Sequence, residues 1–148
     1  MRNTATMIEP KAIFTKAPVF ASFAVKDIDL ARKFYGGTLG LDVREDKQMG
    51  ILEIHSPDKS HVLVYPKPDH QPANFTVLNL QVRDIDEAVD ALTSTGVTFE
   101  RYNTPDIKTD AKGVARGENQ RDGTKGPSIA WFRDPSGNIV SVLEGQQS

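Results

Sequence analysis

The 148-residue sequence contains no cysteine, which excludes disulfide bonds, thiolate metal ligands and a cysteine nucleophile. It also lacks a long apolar run: the first 18 residues contain only Ala12–Phe14, too few for a secretory signal or a membrane span. The net charge is −2 with acids and bases interspersed, so no basic surface for a phosphate backbone is expected. These features predict a cytoplasmic protein that binds neither nucleic acid nor membrane.

A short segment occurs twice in the chain. Residues 25–31 are VKDIDLA and residues 82–88 are VRDIDEA, identical at five of seven positions. A chain of this length forms one ordinary domain, so the repeat indicates two halves of one fold. In each copy valine ends a strand, aspartate caps a helix, and isoleucine and alanine begin its buried stripe. The repeated letters are therefore structural and do not form a catalytic signature.

The first half predicts one strand, one helix and three further strands. VFASFAV (19–25) is an apolar run of β-forming residues, and Asp27 follows as a helix N-cap. The helix presents Ile28, Ala31, Phe34 and Tyr35 on one face and ends at GGTLG. LDVRE, GILEIHS and SHVLVYP then read as strands.

The second half repeats this order after a proline-rich linker, PKPDHQP. FTVLNLQV is a predicted strand, Asp84 caps the next helix, and VTFERY is predicted as the following strand. SIAWFRD and IVSVLE form two strands around the turn DPSGN. The predicted boundaries are a lead-in at 1–17 and one domain at 18–148, with module one at 18–65, the linker at 66–72 and module two at 73–145.

The tandem strand, helix and three strands, with FYGGTLGLDV in the first half and DPSGNIVSVLE in the second, resemble the vicinal oxygen chelate superfamily. This superfamily includes glyoxalase I, extradiol dioxygenases, fosfomycin-resistance proteins and bleomycin-binding proteins. The resemblance covers about residues 18–145 and implies an α+β fold. Two βαβββ modules would form a curved, mixed, eight-stranded sheet around a cavity, with the helices outside.

The resemblance also implies where a divalent metal would be held in the enzymes of the superfamily. The corresponding positions here are Phe20, Val77, Ser141 and, in the first module, a residue near Val64. If the register at Val64 slips, His61 or Tyr65 is the nearest alternative. Since none of the four is a good ligand for a hard or borderline cation, we expect no metal site and no cofactor.

Period-two alternation separates the helix-facing side of each strand from the cavity side. The residues predicted to bind a ligand from the cavity side are Phe20, Ser22, Asn79, Gln81, Glu100, Tyr102 and Ser141. Glu53 and His55 also turn inward and are the candidate acid–base pair. Alternatives remain open: Asn79 and Gln81 could face water or bond each other, Phe20 could fill the core, and His55 could be an ordinary surface histidine.

Residues 103–127 form a polar stretch longer than ordinary connections. It is predicted to be either a lid over a ligand or a solvated excursion with mixed charges. In the first case Lys112, Arg116 and Arg121 could reach an anionic ligand, and Arg116 is included among the ligand-binding candidates.

Three functions are compatible with these observations. The first is a metal-independent protein that sequesters or carries a small aromatic or amphipathic molecule, as in the bleomycin-binding branch. The second is a lyase, isomerase or epimerase that uses Glu53 with His55, or Glu100 with Tyr102, as acid and base. The third is a degenerate module that serves only as an interaction unit. A homodimer is implied by the resemblance.

Overall fold

The computed structural model describes residues 7–117 and 126–145. It contains three α-helices and eight strands in the order α1 β1 α2 β2 β3 β4 β5 α3 β6 β7 β8. Their bounds are α1 Pro10–Phe14, β1 Ala21–Val25, α2 Ile28–Arg32, β2 Asp42–Asp46, β3 Ile51–His55, β4 His61–Pro66, β5 Thr76–Val82, α3 Ile85–Ser94, β6 Val114–Ala115, β7 Ile129–Arg133 and β8 Ile139–Glu144. No helix among the described residues is long and apolar enough to cross a membrane.

Aspartates begin both module helices. The Oδ1 atom of Asp27 accepts hydrogen bonds from the backbone N–H of Asp29 at 2.9 Å and of Leu30 at 3.0 Å. Asp84 accepts from the N–H of Glu87 at 3.1 Å. These side chains satisfy N–H groups that the first helical turn leaves without partners. The predicted caps of the repeated segment are confirmed.

The first module helix ends within GGTLG, as predicted. It continues beyond α2 as a π-helical turn over Lys33–Thr38, which includes Gly36 and Gly37. Gly40 follows with a φ of +75°, the left-handed conformation that favours glycine after a helix. Tyr35 in this turn is fully buried, and the ring of Phe34 lies 6.0 Å from that of Phe132 in β7. The turn therefore places two aromatic side chains against module two.

The strands form two sheets of four, in the orders β1-β4-β3-β2 and β5-β8-β7-β6. In each sheet the first strand of the module pairs in parallel with the last, and the other ladders are antiparallel. The α+β fold of two matching modules is confirmed. Within the described residues no ladder joins the two sheets, so β1 and β5 are edge strands.

The edge of the second sheet differs from the prediction. VTFERY was expected to form a strand, but only Phe99 makes a β-bridge, with Phe132, and Glu100 donates its N–H to the Trp131 carbonyl at 2.8 Å. The chain then leaves the sheet for a small excursion closed by an Asn103–Lys108 bridge, and returns as β6 opposite β7. The excursion interrupts the ladder that was expected along β7. Strand β6 lies within the stretch 103–127, which was predicted to be a polar loop.

The DPSGN turn joins the modules. The Asp134 carboxylate in this turn accepts a hydrogen bond from the Tyr35 hydroxyl at 2.6 Å. The Asn138 side chain donates to the Ala24 carbonyl at 2.8 Å, and the Lys26 N–H donates to the Ser136 hydroxyl at 2.8 Å. One buried core connects both modules through these contacts. The turn predicted only as a hairpin connection is thus also the contact between the two halves.

Candidate functional site

Each sheet has one face covered by the core and one open face. In β3, Leu52 and Ile54 are buried, while Glu53 and His55 alternate with them and are half-buried on the opposite side. In β7, Ala130 and Phe132 are buried, and Trp131 lies between them on the open side. Alternation in the sequence therefore indicates correctly which side chains reach the open faces.

On the open face of module one, Glu53 and His55 form a hydrogen bond of 3.0 Å between Oε1 and Nε2. An ionised carboxylate only accepts hydrogen bonds, so Nε2 is the donor in this contact and Nδ1 is the ring nitrogen left for another partner. The His55 side chain is 18% exposed and that of Glu53 32%. The pair has the arrangement of an oriented base within reach of solvent.

His61 extends this pair into a row of three rings. It lies opposite His55 across the β3–β4 ladder, and the two ring centroids are 5.4 Å apart. The ring of Phe20 lies 5.8 Å from that of His61 on its other side. Sequence reasoning considered His61 only as an alternative metal ligand. The pairing of His55 with His61 could have been predicted from the tight SPDK turn, because the turn sets the register of β3 and β4.

Charged side chains border the row at β2. Arg44 lies opposite Glu53 and Asp42 opposite His55 in the β2–β3 ladder. The Arg44 guanidinium lies 3.1 Å from a carboxylate oxygen of Asp42, and this contact lowers the pKa of the Asp42 carboxyl. The open face of module one thus changes from aromatic at β1 to charged at β2.

On the open face of module two, Asn79 and Ser141 face each other in the β5–β8 ladder. The Ser141 hydroxyl donates to the Asn79 Oδ1 at 2.6 Å, and Ser141 is fully buried whereas Asn79 is exposed. Because the Asn79 carbonyl is engaged, its amide nitrogen is the group left to donate toward a ligand. Asn79 thus presents the polar group, and Ser141 orients it.

Trp131 continues this row and was not selected from the sequence, although the alternation in SIAWFRD would have placed it beside Ser141. It lies opposite Ser141 in the β7–β8 ladder, and its ring packs edge-on against Tyr102 at 5.5 Å. Burial, together with the Glu100 carboxylate, raises the pKa of the Tyr102 hydroxyl. The Glu100 carboxylate accepts from the Arg133 guanidinium at 2.6 Å, so Glu100 is already paired.

A depression of about 790 Å³ opens beside Trp131. Its apolar lining includes Trp131, Ile129 and Ile107, and its polar lining includes Lys108, Asp110 and Arg116. Apolar walls with a few placed polar groups are typical of small-molecule sites. The depression is open to solvent on one side.

Comparison with known proteins identifies the fold family. A family model described as the glyoxalase/bleomycin resistance protein/dioxygenase superfamily matches residues 18–142. The chain belongs to this superfamily. A search of curated proteins gives no match.

Solved structures with this fold cover most of the chain. A superfamily member from Sphaerobacter thermophilus is 26% identical over 87% of this chain and 98% of its own, with a TM-score of 0.61. A glyoxalase family protein from Bacillus anthracis is 19% identical over 99% and 100%, with a TM-score of 0.62. An antibiotic binding protein from Streptomyces sp. CB03234 is 22% identical over 88% and 98%, with a TM-score of 0.57.

The positions at which superfamily enzymes were expected to hold a metal do not carry suitable ligands. The Ser22–Leu63 pairing in β1–β4 matches Asn79–Ser141 in β5–β8, so the counterpart of Ser141 is Leu63. Val64, near which this position was predicted, is fully buried on the core side. A shift of one residue along a strand moves a side chain to the other face, so the ladder register selects Leu63. Leu63, like Phe20 and Val77, offers no donor atom to a cation.

The remaining predicted residues are not part of one cluster. Ser22 is exposed opposite Leu63, and Gln81 is exposed opposite Leu143. Arg116 is in the described part of the long polar stretch, where its guanidinium contacts Asp86 and Asp110. Arg121 lies outside the described residues. The structure therefore brings together Glu53 with His55 on one open face and Asn79 with Ser141 on the other, and it leaves Ser22, Gln81 and Arg116 apart from them.

Proposed function

We propose that this superfamily member is a metal-independent binding protein of the sequestration or resistance type, which holds a small aromatic or amphipathic molecule beside Trp131. The depression at Trp131 is the observation that carries this proposal. A planar ligand would pack on the indole, and one that extends across β8 would reach the Asn79 amide on the same face. The antibiotic binding protein from Streptomyces sp. CB03234 supports the proposal as a protein with the same fold.

Metal independence is proposed from the chemistry of the side chains at the expected ligand positions. Phenylalanine, valine, leucine and a buried serine that bonds Asn79 cannot form the donor set of a divalent cation. In the described ranges, 7–117 and 126–145, no three His, Asp or Glu side chains are arranged to hold an ion. A cytoplasmic location remains a prediction from composition.

A homodimer is part of this proposal. The edge strands β1 and β5 each have one side without a ladder partner in the described part of the chain. Large apolar side chains flank them: Val19 is 93% exposed, Phe20 58% and Phe75 64%. Pairing of two copies along these edges would cover apolar surface. Light scattering at micromolar concentration should give the mass of a dimer, and a monomer alone would contradict this part.

Trp131→Ala should weaken binding of a small aromatic compound by about 30-fold, about 2 kcal/mol, because the indole forms the main apolar wall. Compounds that stabilise the wild type in a thermal-shift screen are then titrated by calorimetry against both proteins. Phe14→Ala is the matched control, since Phe14 in α1 is an exposed aromatic residue that neither lines this depression nor lies on the edge strands.

Two outcomes would contradict the proposal. Equal loss of affinity in the Trp131 and Phe14 variants would mean that the compound does not bind beside Trp131. Strong stabilisation by Ni²⁺, Mn²⁺ or Zn²⁺ at low concentration, reversed by a chelator, would contradict metal independence.

A lyase or isomerase is the second candidate, favoured by the 3.0 Å contact between Glu53 and His55. In an isomerisation, His55 Nδ1 would take a proton from a carbon next to a carbonyl, while Glu53 stabilises the imidazolium. The same proton would return from the imidazolium to another atom of the substrate, so no oxidant or reductant is needed.

For this candidate, His55→Asn should lower turnover of an identified substrate by about 100-fold or more, since the base is removed. Glu53→Gln should also lower turnover, because the amide does not stabilise the imidazolium. Asp42→Asn is the control, as Asp42 lies opposite His55 in the ladder without a hydrogen bond to it. Unchanged turnover in both the Glu53 and His55 variants would remove the assignment.

A further inference from the structure

The second part of the long polar stretch is tied to helix α3 by a cluster of ion pairs. We call residues 109–117 the strap. The Arg116 guanidinium makes two contacts of 2.8 Å with the two carboxylate oxygens of Asp86, and its Nε lies 2.9 Å from Asp110. Lys112 Nζ lies 2.8 Å from Asp86 and 2.9 Å from Asp90. Two bases of the strap thus share one carboxylate of the helix.

The strap is itself an ordered turn. Asp110 Oδ1 accepts from the N–H of Lys112 at 2.9 Å and of Val114 at 3.0 Å. The backbone of Asp110 and Val114 closes the turn with a bond of 2.8 Å. The turn presents Lys112 and Arg116 together toward α3. Arg116 and Lys112 in turn lower the pKa of the Asp86 carboxyl, because they stabilise its charged form.

The strap also forms one side of the Trp131 depression. Asp110, Val114, Ala115, Arg116 and Gly117 all line it. The strap joins the sheet through β6, whose two residues pair with Ala130 and Ile129, and through the Gly117 N–H, which donates to the Ser128 hydroxyl at 3.1 Å. Val114 is fully buried and anchors the backbone, whereas the ion pairs hold the side chains of Lys112 and Arg116 against α3.

The internal repeat offers a helix that lacks this contact. Helix α2 forms without an ion pair between its equivalent aspartate and a distant segment. Asp29 in VKDIDLA occupies the position of Asp86 in VRDIDEA. Asp29 pairs only within its own helical segment, with Arg32 at 2.9 Å, and its side chain is 69% exposed. Both aspartates follow the same first helical residue and interact alike with the helix dipole. The contact with a distant segment is particular to Asp86.

We propose that Asp86, Arg116 and Lys112 form an electrostatic latch that holds the strap closed and controls access to the Trp131 depression. When the latch breaks, the strap separates from α3 and the depression widens toward solvent. A ligand then enters at a rate that depends on ionic strength. The role in ligand entry rests on the proposed function, whereas the latch itself does not.

Trp131 is the sole tryptophan of the chain, so its fluorescence reports the depression directly. The experiment measures quenching by acrylamide, a neutral probe whose access does not depend on the charge of the variants. We compare the wild type with Asp86→Asn, with Arg116→Gln, and with Asp29→Asn as the matched control from the repeat. The quenching constant should rise about twofold in both latch variants and stay at the wild-type value in the control.

Salt provides a second arm that needs no substitution. At about 1 M KCl the screening length falls to about 3 Å, so the latch weakens and quenching of the wild type should approach that of Asp86→Asn. The proposal is overturned if quenching is unchanged in both latch variants, or if Asp29→Asn raises it equally. It is also overturned if salt leaves wild-type quenching unchanged. The quenching experiment uses no ligand. Failure to find a ligand would therefore count against the proposed function but would not change the quenching result.

Discussion

Replacing Asp134 with alanine should lower the free energy of unfolding by about 3 to 5 kcal/mol, because the change leaves several buried polar groups without partners. Asp134 is 5% exposed and lies between a fully buried Tyr35 and a 1% exposed Asn138. Its carboxylate accepts from the Tyr35 hydroxyl at 2.6 Å, the Ser136 N–H at 2.9 Å, and the Asn138 N–H and amide at 2.9 and 3.0 Å.

The loss should be cooperative across the whole chain, because this turn also fixes module one. Asn138 holds the Ala24 carbonyl and Ser136 the Lys26 N–H, both at the end of β1. Burial, with the Asp134 charge nearby, raises the pKa of the Tyr35 hydroxyl, which therefore remains a donor at all ordinary pH values. Without Asp134 the modules lose their polar contact as well as the local turn.

Urea denaturation followed by circular dichroism measures this loss, and Asp58→Ala is its control. Asp58 also accepts from a residue two positions later, Ser60, at 2.9 Å, but in an exposed turn. Its removal should cost about 1 kcal/mol or less, since water replaces the lost bonds. Equal losses in the two variants would show that the DPSGN turn does not hold the modules together.

The sequence was sufficient for features that depend on local chemistry. Asp27 and Asp84 cap helices because aspartate side chains reach backbone N–H groups at a strand-to-helix junction. Alternation placed Glu53 and His55 on one face, and the structure gives them a hydrogen bond. In each case the relevant partner is only a few residues away, so spacing alone carries the information.

Features that depend on register or on distant partners were missed. The metal-site counterpart of Ser141 could be placed only near Val64, and the ladder gives Leu63, because the offset between β1 and β4 cannot be counted from the sequence. The partner of Arg116, Asp86, is 30 positions away on α3. Strand β6 was not predicted because its two residues lie in a polar stretch in which apolar and polar residues do not alternate.

In the polar stretch 103–127, composition predicts exposure to solvent, and distant contacts determine the conformation. Its polar composition was read as a lid or as a solvated excursion, and composition alone could not separate them. In the described part, residues 103–117, the structure shows a bridge at Asn103–Lys108, a turn closed on Asp110 and the contacts to α3. Polar residues here bond to one another and to the helix, and Val114 is buried in the core, so this segment is ordered although it lacks an apolar pattern.

Gly113→Ala should destabilise the protein by about 3 kcal/mol, because it combines backbone strain with overpacking against a fixed neighbour. Gly113 has a φ of +91°, and a Cβ there would lie 2.8 Å from the Phe99 Cβ and 3.1 Å from the Glu100 carbonyl. Phe99 cannot easily move aside, since it is 8% exposed, bridges Phe132 and packs edge-on against its ring at 5.5 Å.

Gly40→Ala distinguishes backbone strain from overpacking. Gly40 has a similar φ of +75°, but a Cβ there would meet nothing within 4 Å. It should therefore cost only about 1 kcal/mol, the backbone component alone. Both variants are measured by urea denaturation, and acrylamide quenching of Trp131 shows where the strain is relieved. If Gly113→Ala loses no more stability than Gly40→Ala while Trp131 quenching rises, the strap moves instead of Phe99. In that case the strap backbone at Gly113 shifts to accommodate the added Cβ, and the Phe99 side chain keeps its position in the core.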